Sequence, residues 1–146
     1  MLSLNNKKGF IDMFGIQPIE YYNNINDFTP IKSWEIASGS PVTLYFILTK
    51  TDGLGNRRFI IDNSTTVNIA FLRSRPAKSG EIAKTISKTA TTVSPNDKSL
   101  FQITLSAEDA ATILSGSIQL IVTISGSQNK SSIPYIVKKN ISSPGF

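Results

Sequence analysis

The chain contains neither cysteine nor histidine. Without cysteine it has no disulfide bond, no thiolate nucleophile and no cysteine-based zinc site. Without histidine it lacks the side chain that titrates near neutrality and the commonest nitrogen ligand for zinc or copper. Carboxylates, lysines and hydroxyl groups remain as candidate catalysts. We therefore expect a protein that is not an enzyme and that holds no metal ion or cofactor.

Long apolar runs are also missing from the chain. The first residues, Met1 to Lys8, contain no stretch of the length that a signal peptide needs, and no later run approaches the length that spans a membrane. We expect a protein without a membrane partner, made and kept in a cytoplasm unless a larger assembly carries it out.

Charged residues are scarce, at 17% of the chain, although the net charge is +5. The basic residues form small scattered groups, such as Lys7–Lys8, Arg57–Arg58 and Lys138–Lys139. Nucleic-acid-binding proteins usually interleave such charges with aromatic residues or place them on one helix. Because neither arrangement is present, we expect no nucleic-acid partner.

Alternating apolar and polar residues are the main pattern that is present. The 146 residues are enough for one ordinary domain with a core. Strand-like runs separated by turn residues recur from residue 38 to residue 140, the clearest being 42–48, 66–72, 100–105 and 118–124. This spacing predicts an antiparallel β-sandwich. The predicted core residues in the last two runs are Phe101, Ile103, Leu105, Leu120, Val122 and Ile124.

A short helix is predicted between those last two runs. Ser106 is a natural N-cap, and Glu108 and Asp109 lie in the first turn, where the helix dipole favours negative charge. Ser115 and Gly116 are expected to end the segment. The two carboxylates do not resemble a glycosidase pair, because neighbouring side chains on a helix point in different directions.

The segment before residue 38 has a different character. It is rich in large apolar side chains but fits neither a helical nor a strand period, and Asn23 to Asp27 resembles a loop. We predict that residues 1–37 form an extended arm, that 38–140 form the sandwich, and that 141–146 form a tail. The predicted assembly contacts of the arm are Phe10, Phe14, Tyr21, Tyr22, Phe28 and Trp34.

The sequence leaves two questions about this arm open. The surface that it covers could belong to its own sandwich or to a neighbouring copy. Tyr21, Tyr22 and Trp34 could also form an aromatic platform for a sugar, the alternative being that their rings anchor the arm in a hydrophobic groove. We predict that residues from Phe10 to Trp34 form the main contact with a neighbouring subunit, so that removal of residues 1–36 should leave a folded, soluble sandwich that no longer assembles.

Two further motifs have simpler interpretations than catalysis or ion binding. Asp52 to Asn56 resembles an acidic calcium loop, but it lacks the spacing of oxygen ligands and the final bidentate glutamate. Its glycines also match no phosphate-binding pattern. A hairpin turn is the better interpretation. The many serines lack a convincing lysine base in a helical context.

The order of these segments resembles the N-terminal immunoglobulin-like domain of phage baseplate upper proteins and related tail adaptors. The resemblance covers about residues 38–140 and depends on four segments: Ser40 to Leu48, Val67 to Phe71, Leu100 to Asp109 and Gly116 to Leu120. It implies an immunoglobulin-like β-sandwich with one short helix.

The resemblance also implies a function in a tailed bacteriophage. The expected protein is a virion component assembled in the host cytoplasm, whose partners are other copies of itself and other virion structural proteins. We expect no long helical stalk or receptor-binding head after the sandwich, which favours a connector, adaptor or decoration subunit of the tail, baseplate, neck or capsid. The alternative function is a carbohydrate- or receptor-binding β-sandwich module.

Overall fold

Two β-sheets that share one hydrophobic core form the body of the protein. A computed structural model of the chain describes residues 13–24, 27–53, 55–73, 85–113 and 116–140. In chain order the strands are β1 (Met13–Asn24), β2 (Asp27–Pro30), β3 (Glu35–Ala37), β4 (Val42–Asp52), β5 (Gly55–Arg58), β6 (Thr65–Arg73), β7 (Ile86–Thr89), β8 (Thr91–Ser94), β9 (Asp97–Leu105), β10 (Gly116–Ile124) and β11 (Ser127–Asn140). The helix that the structure describes, α1, spans Ala107–Thr112.

The strand order confirms the predicted all-β sandwich. The first sheet has the order β2-β1-β4-β9-β8, with β5 also pairing with β4, and the second has the order β3-β11-β10-β6-β7. In the lettering used for immunoglobulin domains, the first sheet contains strands A (β1), B (β4), E (β9) and D (β8). The second sheet contains strands G (β11), F (β10), C (β6) and C′ (β7). The described pairings are antiparallel except that of β3 with β11.

The main core lies between the two sheets, because strand alternation sends every second side chain inward. In β4 the inward residues are Leu44, Phe46 and Leu48, all buried. Phe46 lies opposite Phe101 of β9, and their rings stack with centroids 5.4 Å apart. The predicted core residues Phe101, Ile103, Leu105, Leu120 and Val122 are confirmed as buried, whereas Ile124 is only partly buried at the margin of the core.

The helix α1 begins where the sequence predicts. The amide of Asp109 donates to Oγ of Ser106 at 3.0 Å, and the amide of Ser106 donates to the Asp109 carboxylate at 3.3 Å. This reciprocal pair is a capping box, and it satisfies two amides that would otherwise lack a partner. The helix ends earlier than predicted, because Ile113 already has extended backbone angles and Gly116 begins β10. Ser115 lies outside the described residues.

Asp109 also connects the helix to the second sheet. Nζ of Lys88, on the edge strand β7, lies 2.7 Å from its carboxylate. The hydrogen bond from Lys88 lowers the pKa of Asp109 below its usual value of 3.8, and the amide of Ser106 adds to this effect against a smaller opposing effect of burial. Because the folded-state pKa is depressed, the stabilisation is present above the unfolded pKa and is lost as pH falls through the folded value.

We therefore expect the variant Asp109→Ala to be less stable than the wild type at about pH 7 by about 1 kcal/mol, mainly through loss of the cap. The difference should shrink as pH falls through the folded-state pKa of Asp109, because protonation removes the carboxylate charge that Lys88 and the amide of Ser106 stabilise. Urea unfolding over a series of acidic pH values, compared with unfolding at about pH 7, measures this. The matched variant Glu108→Ala, which removes the neighbouring exposed carboxylate, should show a smaller effect. An unchanged difference at low pH would contradict the predicted role of the carboxylate charge.

The structure corrects the predicted domain boundary at residue 38. Residues Met13–Ile19 of β1 pair with Tyr45–Thr51 of β4, and β3 pairs with the end of β11. Phe14 and Trp34 are 5% and 2% exposed in the main core. From residue 13 onward, the described part of the predicted arm is therefore part of the sandwich, and its own domain provides the surface that it covers.

A change of face inside β1 explains why its sequence has no clear period. Phe14 and Ile16 pack in or against the main core, whereas Ile19 and Tyr21, at odd positions, contribute to a second cluster on the other face. A strand with apolar residues on both faces does not alternate. The pattern therefore resembles neither a one-sided strand nor a helix.

Candidate functional site: an aromatic cleft beside the first sheet

The site lies where β1 and β4 diverge. Their pairing ends at Ile19 and Tyr45, after which β1 continues beside β2 alone. At this point the indole Nε1 of Trp34 donates to the backbone carbonyl of Tyr45 at 2.9 Å. The buried indole therefore takes the place of a further strand beside β4, and it fixes the segment before β3 against the sheet.

The segment between β2 and β3 is also fixed against β1. The amide of Ile31 donates to the carbonyl of Pro18 at 3.0 Å. The side-chain amide of Gln17 donates to the carbonyls of Pro18 and Ile31 at 2.8 and 3.0 Å. Because the two bonds that involve Ile31 join β1 to a segment distant from it in the sequence, they hold two walls of the site in one position.

An open cleft of about 590 Å³ lies between these walls. This volume is within the range typical of small-molecule sites. The cleft is lined by one end of β1, by the connection from β2 into β3, and by the first residues of β4. Its aromatic lining residues are Tyr21, Trp34 and Tyr45, and its charged lining residues are Glu20, Lys32 and Glu35.

Two tyrosines form the aromatic wall of the cleft. The rings of Tyr21 and Tyr45 have centroids 4.9 Å apart with an interplanar angle of 35°. Both side chains are half-buried, whereas Trp34 is buried and packs near Phe46 and Phe71 in the main core. The accessible aromatic surface of the cleft is thus provided by the tyrosine pair.

The same tyrosines belong to an apolar patch on the face of the first sheet turned away from the second. We call this patch the outer cluster: it has Ile19, Ile47 and Leu100 buried at its centre and Tyr21, Phe28, Tyr45 and Val93 partly buried around them. On β4 the residues of this cluster alternate with Leu44, Phe46 and Leu48 of the main core. The first sheet therefore has apolar residues on both faces.

Both arginines of β5, which lies away from the cleft, form structural ion pairs. Arg57 donates to both carboxylate oxygens of Asp52 at 3.1 and 2.6 Å across the β4–β5 turn, which confirms the predicted hairpin. Arg58 of β5 pairs with Asp97 of β9. Burial raises the pKa of Asp97, but hydrogen bonds from Ser99 and the charge of Arg58 together outweigh it, so that the net pKa is lowered. These contacts stabilise turns and adjoining strands rather than form a reaction centre.

The structure separates the predicted assembly residues into three groups. Phe14 and Trp34 are interior residues, with Phe14 in edge-to-face contact with Phe59 at 5.0 Å. Tyr21 and Phe28 are half-buried in the outer cluster. Phe10 lies outside the described residues, as does the side chain of Tyr22, whose backbone lies in β1.

This distribution corrects two of the sequence-based interpretations. Phe14 and Trp34 are not available as assembly contacts, because the folded domain already buries them. Trp34 also cannot present its ring as a sugar platform, since its indole is sequestered in the core and bonded to a carbonyl. Of the residues proposed for stacking, Tyr21 has a described, partly accessible ring in the cleft.

Tyr45 is the aromatic residue of the cleft that the sequence analysis missed. It stands between Leu44 and Phe46, so its ring points away from the core face that those two residues occupy. Its position between two core residues could have indicated an outward-facing aromatic side chain. Its contact with Tyr21 depends on the register of β1 with β4, which the sequence does not reveal.

Among the residues that the structure describes, no group of three or more aspartate or glutamate side chains is placed to hold a metal ion. Within the same part of the chain, no helix has the length and apolar character needed to cross a membrane. Comparison of the chain with protein-family models, with curated proteins and with solved structures finds no match.

Proposed function

We propose that the protein is a structural subunit of a tailed bacteriophage particle, present in many copies. It acts as a connector, adaptor or decoration subunit of the tail, baseplate, neck or capsid. Its partners are other copies of itself and other virion structural proteins. The proposal starts from the resemblance to phage tail adaptor domains, and the immunoglobulin-like strand order is the one that this resemblance implies.

The outer cluster is the observation that carries the proposal. A sheet face directed away from the core is usually polar in a sandwich whose outer surface contacts only water. Here that face has three buried aliphatic residues surrounded by partly exposed aromatic and aliphatic side chains. An apolar face of this kind is suited to a protein neighbour, with Phe28, which is not among the cleft residues, as an aromatic anchor.

The chemistry of the described residues agrees with a binding role. Three carboxylates, Asp52, Asp97 and Asp109, are each paired with a lysine or arginine in a structural contact. The lowered pKa values of Asp97 and Asp109 favour their ionised, paired forms. A general acid near neutrality would need a raised pKa instead.

The test is incorporation of the full chain into phage particles. We expect purified particles to contain the protein at a fixed number of copies, measured by quantitative mass spectrometry. The variant Val93→Lys places a charge at the margin of the outer cluster, away from the cleft, and should reduce incorporation at least about tenfold because it would bury an unpaired charge in the contact.

The matched control is Ser132→Lys, which adds the same charge at an exposed position of β11. Both purified variants should unfold close to the wild-type midpoint, so that a loss of incorporation can be assigned to the surface. Absence of the protein from particles would refute the virion assignment. Normal incorporation of Val93→Lys would exclude the outer cluster as the contact.

A further inference from the structure

The cleft beside the first sheet has the features of a small-molecule site that is formed before its ligand binds. Trp34 supports it from the core, and the bonds from Gln17 and Ile31 hold the opposite wall against β1. A site with fixed walls loses little conformational entropy when a ligand enters. Its volume of about 590 Å³ is large enough for a ligand made of a few small linked units.

The aromatic wall favours a flat ligand with an apolar face. The rings of Tyr21 and Tyr45 are in tilted contact, with centroids 4.9 Å apart, and neither residue is fully buried. The C–H groups on one face of a pyranose ring pack well against such rings, and the tyrosine hydroxyls remain able to hydrogen-bond.

The polar rim favours a neutral ligand rich in hydroxyl groups. Glu20, Lys32 and Glu35 line the cleft and are exposed, and Thr43 adds a half-buried hydroxyl. Carboxylates accept hydrogen bonds from hydroxyl groups, and the ammonium group donates to them. With two carboxylates and one ammonium group, the rim has no net positive charge. This disfavours anionic ligands such as nucleic acids and sulfated glycans.

One backbone group that an extended peptide would need is already occupied in the cleft. A peptide that adds a strand needs free backbone groups along a sheet edge. In this cleft the carbonyl of Tyr45 already accepts a hydrogen bond from the Trp34 indole. The geometry therefore points to a ligand bound by ring faces and side chains, and we propose that the cleft binds a neutral oligosaccharide.

The test titrates the isotope-labelled full chain with defined probes and follows its backbone amide NMR signals. The neutral probes are chitotriose, maltotriose and lactose. A heparin oligosaccharide and a short proline-rich peptide represent the two disfavoured classes. We expect at least one neutral probe, at up to about 10 mM, to shift amides of residues 19–21, 31–35 and 42–45 in a saturable way.

Two cleft variants and two matched controls assign the binding. Tyr21→Ser should weaken the affinity about tenfold by removing one ring, and Lys32→Ala should weaken it about threefold with no loss of fold, since the lysine is exposed. Val93→Ser, in the outer cluster but outside the cleft, and Lys98→Ala, at an exposed position of β9, should bind like the wild type.

If no neutral probe shifts the cleft amides, or if only the heparin fragment or the peptide does, the proposal is overturned. It is also overturned if Lys32→Ala and Tyr21→Ser, both folded, bind like the wild type. These outcomes are independent of the virion assignment, because the incorporation test uses Val93 and Ser132 rather than cleft residues.

Discussion

Truncation of Trp34 to alanine should destabilise the protein by about 3 to 5 kcal/mol, the range for removing a large buried aromatic side chain. Trp34 is 2% exposed, and its ring centroid lies 6.0 Å from that of Phe46 and 6.4 Å from that of Phe71. The change leaves a cavity in the main core. It also removes the donor to the carbonyl of Tyr45.

A second substitution separates these two effects. Trp34→Phe keeps most of the apolar contact but removes the indole N–H, so it should cost about 1 to 3 kcal/mol for the unsatisfied carbonyl and the altered shape. Urea unfolding followed by far-ultraviolet circular dichroism is the suitable measurement, because Trp34 is the only tryptophan of the chain and its fluorescence is lost in both variants.

The matched control is Ile60→Ala, which truncates a large apolar side chain that is 69% exposed. It should change the free energy of unfolding by no more than about 0.5 kcal/mol. If Trp34→Ala behaves like this control, Trp34 does not contribute to the core. That result would support the interpretation of residues 1–37 as an arm separate from the sandwich.

The sequence predicts best where strands have one apolar face. Residues 100–105 and 118–124 alternate because each strand has one side in the core, and the structure confirms both strands and the capped helix between them. The change of parity between Ala90 and Val93 is also informative. It indicates a bulge or two short strands, and the structure has β7 and β8 in different sheets with Ala90 between them.

The sequence predicts poorly where burial depends on distant partners. Trp34 is a core residue because the carbonyl of Tyr45 accepts its N–H and because Phe71 of β6 lies beside its ring. Neither contact is encoded by local spacing. The same holds for the cleft, whose tyrosine wall exists only once Ile19 is in register with Tyr45.

Removal of residues 1–36 should abolish the cooperative unfolding of the protein. The deletion eliminates β1 and β2 and leaves a single residue of β3. Among the buried side chains that it removes are Phe14, Ile19, Trp34 and Ile36. Loss of one such side chain typically costs about 2 to 5 kcal/mol, whereas a whole domain is stable by only about 5 to 15 kcal/mol. The shortened chain would also expose the edge of β4 over Tyr45–Thr51.

We expect the shortened protein to be largely insoluble, because an exposed edge between two apolar faces promotes aggregation. Its soluble fraction should show no cooperative transition in urea.

A synthetic peptide of residues 13–37, added during refolding, should restore solubility and a cooperative transition, since strand addition can occur between separate chains. This complementation distinguishes the loss of particular strands from general damage to the chain. A shortened protein that stays soluble and unfolds cooperatively near the full-length midpoint would show that β1 is not integral to the sandwich, and its segment would then be free to contact a neighbouring subunit.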